Sequence, residues 1–159
     1  MIKELWILVR SLFLSNPCDF IYEDLKVVEM KHFPLKGCKA MSWCGMIIHR
    51  KGTSEIDEKT INHEKIHVMQ ACFYADNSWI YYYLLYIWEW LKHGLSSPVS
   101  ANYYLSRFES EAYANEEDMD YCERYKPVWT NKYAVLDAKK LYKELGGTGK
   151  AWKKYVKTL

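Results

Sequence analysis

Several features are scarce in this chain, and each scarcity excludes a class of protein. Formal net charge is only +2 over 159 residues, and no compact arginine-rich cluster occurs, so a nucleic-acid interface has no electrostatic basis. Five cysteines, Cys18, Cys38, Cys44, Cys72 and Cys122, include no C-x-x-C pair. An odd count without regular spacing argues against a disulfide scaffold and for a reducing compartment, with the thiols serving as small buried hydrophobes. No apolar run reaches the roughly 20 residues that cross a bilayer. The opening segment, MIKELWILVRSLFLSN, has a charged start and an apolar run, but Arg10 interrupts it and no small-residue cleavage pattern follows. It reads as an amphipathic helix over residues 1–15, and the expected location is cytoplasmic. Internal repeats and low-complexity tracts are also missing.

What is present suits one folded domain. Half of the residues are hydrophobic, and the length is enough to bury a core. Leu25 to His32 and Ala40 to His49 are rich in β-branched, aromatic and Met residues, with Pro34 and Gly37 between them. They predict paired strands in a small sheet over residues 25–52. Lys51-Gly52 then turns the chain into a helix over 58–74, with Asp57 as its N-cap. Further helices are expected over 78–93, over 101–124 until Pro127, and over 134–145 before Gly146-Gly147. Ser96-Ser97-Pro98 marks a loop, and 134–159 ends in the basic, amphipathic tail KAWKKYVKTL. The fold class is α+β, dominated by helices.

The aromatic segment SWIYYYLLYIWEWL, residues 78–91, is apolar all round. As a helix it should be buried on most sides or rest in lipid. Its short length and Glu89 favour the core, while Tyr and Trp suit a membrane surface.

The most specific signal is His63-Glu64-Lys65-Ile66-His67, an H-E-x-x-H pattern. On a helix, residues four apart share a face, so His63 and His67 can direct two imidazoles at one zinc ion. Glu64 projects beside that face, where it can take the proton of a metal-activated water. A catalytic zinc needs a third protein ligand, and SRFESEAYANE, residues 106–116, supplies candidates. Glu109 and Glu111 are about 200° apart around a helix and cannot both face one ion. Either could flank the apolar stripe of Leu105, Phe108 and Ala112, so spacing leaves the choice open. Glu116, two turns beyond Glu109, suits a supporting bond better than a metal bond.

NHEKIHVMQ followed by FESEAYANE resembles the gluzincin branch of zinc metallopeptidases, in which a glutamate from a later helix completes H-E-x-x-H. Laid over the family's E-x-x-[AS]-D segment, Glu109 to Tyr113 makes Glu109 the third ligand. Tyr113 then replaces the aspartate that supports the first histidine. A second register, Glu111 to Asn115, keeps Glu111 as the alternative. Gln70, three residues after His67, recurs in small bacterial minigluzincin-like proteins, which the layout over residues 43–121 most resembles.

The resemblance implies a zincin-like fold with its small sheet before the active-site helix, Zn2+ as cofactor, and a peptide or protein substrate. Glu64 would be the general base, with Gln70, Tyr113 and Arg107 as supporting or oxyanion-binding residues; His49 and Tyr121 are further candidates for the latter. Trp43 to His49 would be the edge strand that pairs with an extended peptide. A second expectation keeps the metal but drops the proteolysis, making the chain a structural or interaction protein. A third is peripheral membrane contact through residues 78–91 or 150–159.

Overall fold

Short elements surround one long helix, against which one edge of the sheet, a 3₁₀ turn and two further helices pack. The computed structural model describes residues 1–21, 24–34, 38–53, 55–93, 103–125 and 132–159. Helix α1 (Ile2–Ser11) leads to a 3₁₀ turn (Pro17–Phe20) and to strands β1 (Lys26–Met30), β2 (Ala40–Trp43) and β3 (Met46–Arg50). Helices α2 (Glu58–Tyr74), α3 (Trp79–Leu91), α4 (Arg107–Asn115), α5 (Ala138–Glu144) and α6 (Gly149–Val156) follow. The fold is therefore α+β, as its sequence predicts. Gly37, Gly94, Ser96-Ser97-Pro98 and Pro127 lie outside the described residues.

The strands depart from the expected pair. Residues 40–49 form a hairpin instead of one strand, because Cys44 (φ 46°) and Gly45 (φ 76°) both take positive φ. That is the signature of a two-residue hairpin turn matched to the strand twist. An added Cβ at Gly45 would lie 2.5 Å from the Phe20 ring, so the turn also needs glycine for close packing. The sheet order is β1-β3-β2, with β1 parallel and β2 antiparallel to β3. Trp43 to His49 is thus not an edge strand: β3 has a neighbour on each side, and β2 is an edge.

Period-two alternation explains how the sheet is covered. Ile47 faces the main core of Val68, Ala71, Trp79, Tyr82 and Phe108. Its neighbour Ile48 faces the other way, against Leu8 of α1 and Met30. Trp43 fastens α1 to this layer, its indole N–H donating to the Leu8 carbonyl at 2.9 Å and Ser11 Oγ at 3.0 Å. Its ring stacks on Tyr83 of α3 at 4.5 Å.

Helix α2 begins where the Asp57 carboxylate accepts from the Thr60 N–H at 2.9 Å, a standard N-cap. Cys72, near its other end, is disulfide-bonded to Cys18 across a Cα–Cα distance of 4.9 Å. This corrects the expectation of unpaired thiols for two cysteines. A span of 54 residues gives no local pattern by which to find the pair. Cys38, Cys44 and Cys122 are free.

Two helical expectations are corrected. The helix expected over 101–124 is shorter: a helical turn at residues 103–105 breaks at Ser106, α4 ends at Asn115, and turns continue to residue 124. The aromatic helix α3 buries only one side, through Trp79, Tyr82 and Glu89. Ile80, Tyr81, Leu84, Ile87 and Trp88 on its other side are exposed. No described helix is long and apolar enough to cross a membrane.

The tail is part of the core. Trp152 is fully buried, with Val156 beside it, and its indole N–H donates to Ser110 Oγ of α4 at 3.1 Å. Replacing this side chain leaves a large void, so Trp152→Ala should lower stability by about 3–5 kcal/mol. Urea unfolding checks this; an unchanged midpoint would show that α6 does not dock.

Candidate metal centre

Ten of the 17 residues of α2 are buried, including Asn62, His63, Glu64, His67 and Gln70. Polar groups placed so deep must find partners, and Asn62, His63, His67 and Gln70 do so by hydrogen bonds. The imidazoles of His63 and His67 lie edge to face at 5.0 Å. From α4, Glu109 reaches between them: Oε1 is 3.2 Å from His67 Nε2 and Oε2 is 3.4 Å from His63 Nε2. The three ligand-capable atoms lie within 4.8 Å of one another. This buried group can hold a metal ion.

The choice between the two glutamates, open in the sequence, is decided by helix geometry. Glu111 points away from the cluster and accepts from Gln70 Nε2 at 3.0 Å and from the Tyr121 hydroxyl at 2.9 Å. It braces the site from behind.

Hydrogen bonds to the far side of each ring determine which nitrogen is free. Gln70 Nε2 donates to Glu111 and to the Phe108 carbonyl at 2.9 Å, so its Oε1 must face His67 Nδ1, 2.8 Å away. An amide oxygen only accepts; Nδ1 therefore carries a hydrogen, and Nε2 is the nitrogen that faces Glu109. On the other ring, His63 Nδ1 donates to Glu116 Oε2 at 3.1 Å. Outer bonds of this kind fix the tautomer and orientation of metal-binding imidazoles. Gln70 and Glu116 both occupy the supporting role that the sequence suggests for them. Glu116 is itself held by Lys59 at 3.0 Å.

The metal-free cluster is strongly polarised. Burial pulls the His63 pKa down, but the carboxylates of Glu109, Glu116 and Glu64 outweigh it and raise it to about 10. Burial also acts against the Glu109 carboxylate, yet the two imidazoles hold its pKa well below the usual range. Glu109 Oε2 is buried without a hydrogen bond among the described residues. The 3.4 Å ion pair with His63 does not satisfy that oxygen; a cation between them would.

Glu64 sits beside this group. Burial raises its pKa, opposed in part by the two histidines, with Glu109 raising it further and the nearby Ser42 backbone of β2 lowering it slightly. His63 and Glu64 face a cleft of about 940 Å³, bounded by Lys39 and Ala40, the start of α2, Tyr103, Tyr104, Tyr113 and one face of α6.

The remaining candidates separate. Tyr113 is in the site, its ring 4.5 Å from that of His63. Its hydroxyl donates to that of Tyr103 at 3.4 Å. Arg107 is not in the site: its side chain stacks over Phe108 at 4.9 Å and faces the buried Glu89 of α3 at 3.4 Å. His49 lies by Thr53, away from the cluster. Two contributors were hidden in the aromatic helix. Tyr86 donates to Glu109 Oε1 at 2.6 Å, and Tyr82 lies 3.3 Å from His67 Nδ1. Their four-residue spacing, the same as that of the histidines, is the signal that marks them as one face.

No protein family, curated protein or solved structure matches this chain.

Metal binding has a direct check. Purified protein titrated with zinc should take up one ion per chain, and Glu109→Ala should abolish this while Glu111→Gln retains it. Gln70→Ala or Glu116→Ala should weaken affinity about 10–100-fold. Loss of binding in Glu111→Gln with full binding in Glu109→Ala would reverse the ligand assignment.

Proposed function

We propose that this chain is a zinc-dependent peptidase of the gluzincin type. The observation that carries the reading is the convergence of His63 Nε2, His67 Nε2 and Glu109 within 4.8 Å, next to a cleft that His63 and Glu64 line. Two imidazoles and one carboxylate form a donor set suited to zinc with a position left for a substrate or water. When bound, zinc supplies a Lewis acid that polarises a carbonyl and acidifies water.

The chain's own residues supply the rest. Glu64, on the cleft side of the ligand pair, takes a proton from the attacking water and returns it to the leaving amine. Its raised pKa suits a group that must both accept and release. Burial and the nearby Glu109 raise the pKa of Tyr103 and Tyr113 well above that of a free phenol, so both stay protonated. Because Tyr113 donates to Tyr103, the Tyr103 hydrogen is free to point into the cleft, where it can donate to a developing oxyanion. The hydroxyl of Tyr113 is already committed.

Strand β2 supports binding of an extended peptide. In a two-residue hairpin, Trp43 and Met46 form a hydrogen-bonded pair, so Ala40 and Ser42 direct their backbone groups away from β3. The outward Ser42 N–H lies on the side of Glu64, whose pKa it lowers slightly. Ala40, two residues earlier on the same edge, lines the cleft and can pair with a substrate backbone.

The reading is tested by Glu64→Gln. The variant should keep its zinc, measured by mass spectrometry, and lose peptide hydrolysis by about 10²–10⁴-fold. A zinc-loaded wild type that cuts no member of a mixed peptide library would favour a non-catalytic metal protein instead.

A further inference from the structure

One face of α6 forms a wall of the cleft, and that face is cationic. Lys150, Lys153, Lys154 and Lys157 recur at helical spacing, and all four line the cleft. Trp152 and Val156, on the other face, hold the helix in the core. Lys39 and Lys59 add two more ammonium groups on other sides. Half of these charges are already answered. Lys39 pairs with Asp57 at 2.9 Å, Lys59 with Glu116 and Glu117, and Lys157 with Glu117 at 2.8 Å. Lys150, Lys153 and Lys154 have no ion pair among the described residues.

Lys153 is the informative one. It is half-buried, and its Nζ lies 3.6 Å from the centre of the Tyr113 ring, which in turn packs against His63. Burial lowers its pKa and the cations Lys59 and Lys157 lower it further, against the raising effect of Glu116 and Glu109. An ammonium group drawn from water needs compensation. A ring face supplies part of it, but among the described residues no carboxylate bonds it directly. The missing partner is an anion that arrives in the cleft.

We propose that the cleft selects peptides carrying a carboxylate close to the bond presented to the metal centre, held by Lys153 and flanked by Lys150 and Lys154. The position of the scissile bond rests on the peptidase reading; the preference for a carboxylate does not. The carboxylate is either an acidic side chain or the free C-terminus of the peptide. Lysines, unlike a rigid arginine fork, are compact charges on flexible stems, so they can follow either geometry.

The test uses zinc-loaded Glu64→Gln protein, which binds without cutting, and fluorescence titration with four peptides of one length. These are a neutral peptide with an amidated C-terminus, its free-acid form, an amidated form with an internal glutamate, and one with an internal lysine. At least one carboxylate peptide should bind about tenfold tighter than the neutral amide, and the lysine peptide more weakly. Which of the two wins identifies the source of the carboxylate. The preference should shrink in 0.5 M salt, where the screening distance is roughly half its physiological value, and vanish in Lys153→Met. The exposed double variant Lys150→Gln, Lys154→Gln, which leaves the core untouched, should reduce it about threefold or more. Equal affinities, no measurable binding of any peptide, or a preference unchanged in both variants would overturn the proposal. Failure of the peptidase reading looks different: wild-type zinc-loaded protein would bind the acidic peptide selectively and leave it intact.

Discussion

Glu109 carries a carboxylate into an almost completely enclosed position between two imidazoles, and burying a charge is costly unless it is paired and hydrogen-bonded. Most of the polar architecture can be derived from that constraint. His63 and His67 face the carboxylate, so their outer nitrogens need acceptors; Glu116 and Gln70 provide them. Each acceptor then needs its own support. Lys59 holds Glu116, while Phe108 and Glu111 hold Gln70, and Tyr121 completes Glu111. Tyr86 closes the remaining side of Glu109. The result joins α2, α3 and α4 through one connected set of bonds, in which loss of any member leaves another buried group unmatched.

Such a network accounts for the character of α2. A helix with an apolar stripe and a polar face docks on one side only. This helix is instead covered on several sides, with its apolar residues against the sheet and α3, and its histidines against α4. The disulfide to Cys18 and the Asp57 cap secure its two ends. Rigid support at both ends suits a group that can hold a metal ion, because ligand geometry must be kept within a fraction of an ångström for such a site to work.

Much of this centre is legible in the residues alone, because its spacing follows from helix geometry. H-E-x-x-H, the Asp57 cap and Gln70 one turn after His67 all lie in a single helix, where sequence distance converts directly into direction. Legibility ends where the third dimension decides. Glu109 and Glu111 both flank the same apolar stripe, and only the docking angle of α4 separates ligand from brace. The Cys44-Gly45 turn is hidden inside a run that reads as one buried strand, and the edge of the sheet shifts with it. Tyr82 and Tyr86 lie in a segment so rich in aromatics that packing explains it without any role at the metal centre. In the tail, the charges are plain in the sequence, but that Trp152 points inward and the lysines toward the cleft depends on contacts with α4.

Helix α6 divides its labour by face. Its inward residues, Trp152 and Val156, cannot change without disturbing the interior, whereas Lys150 and Lys154 are exposed to solvent. Exchanging those outward positions alters the charge of the cleft at almost no structural cost. On the proposed peptidase reading, selectivity would therefore be able to drift across generations while the scaffold and the histidine pair stay fixed, a small set of surface substitutions redirecting the same cleft toward a different diet.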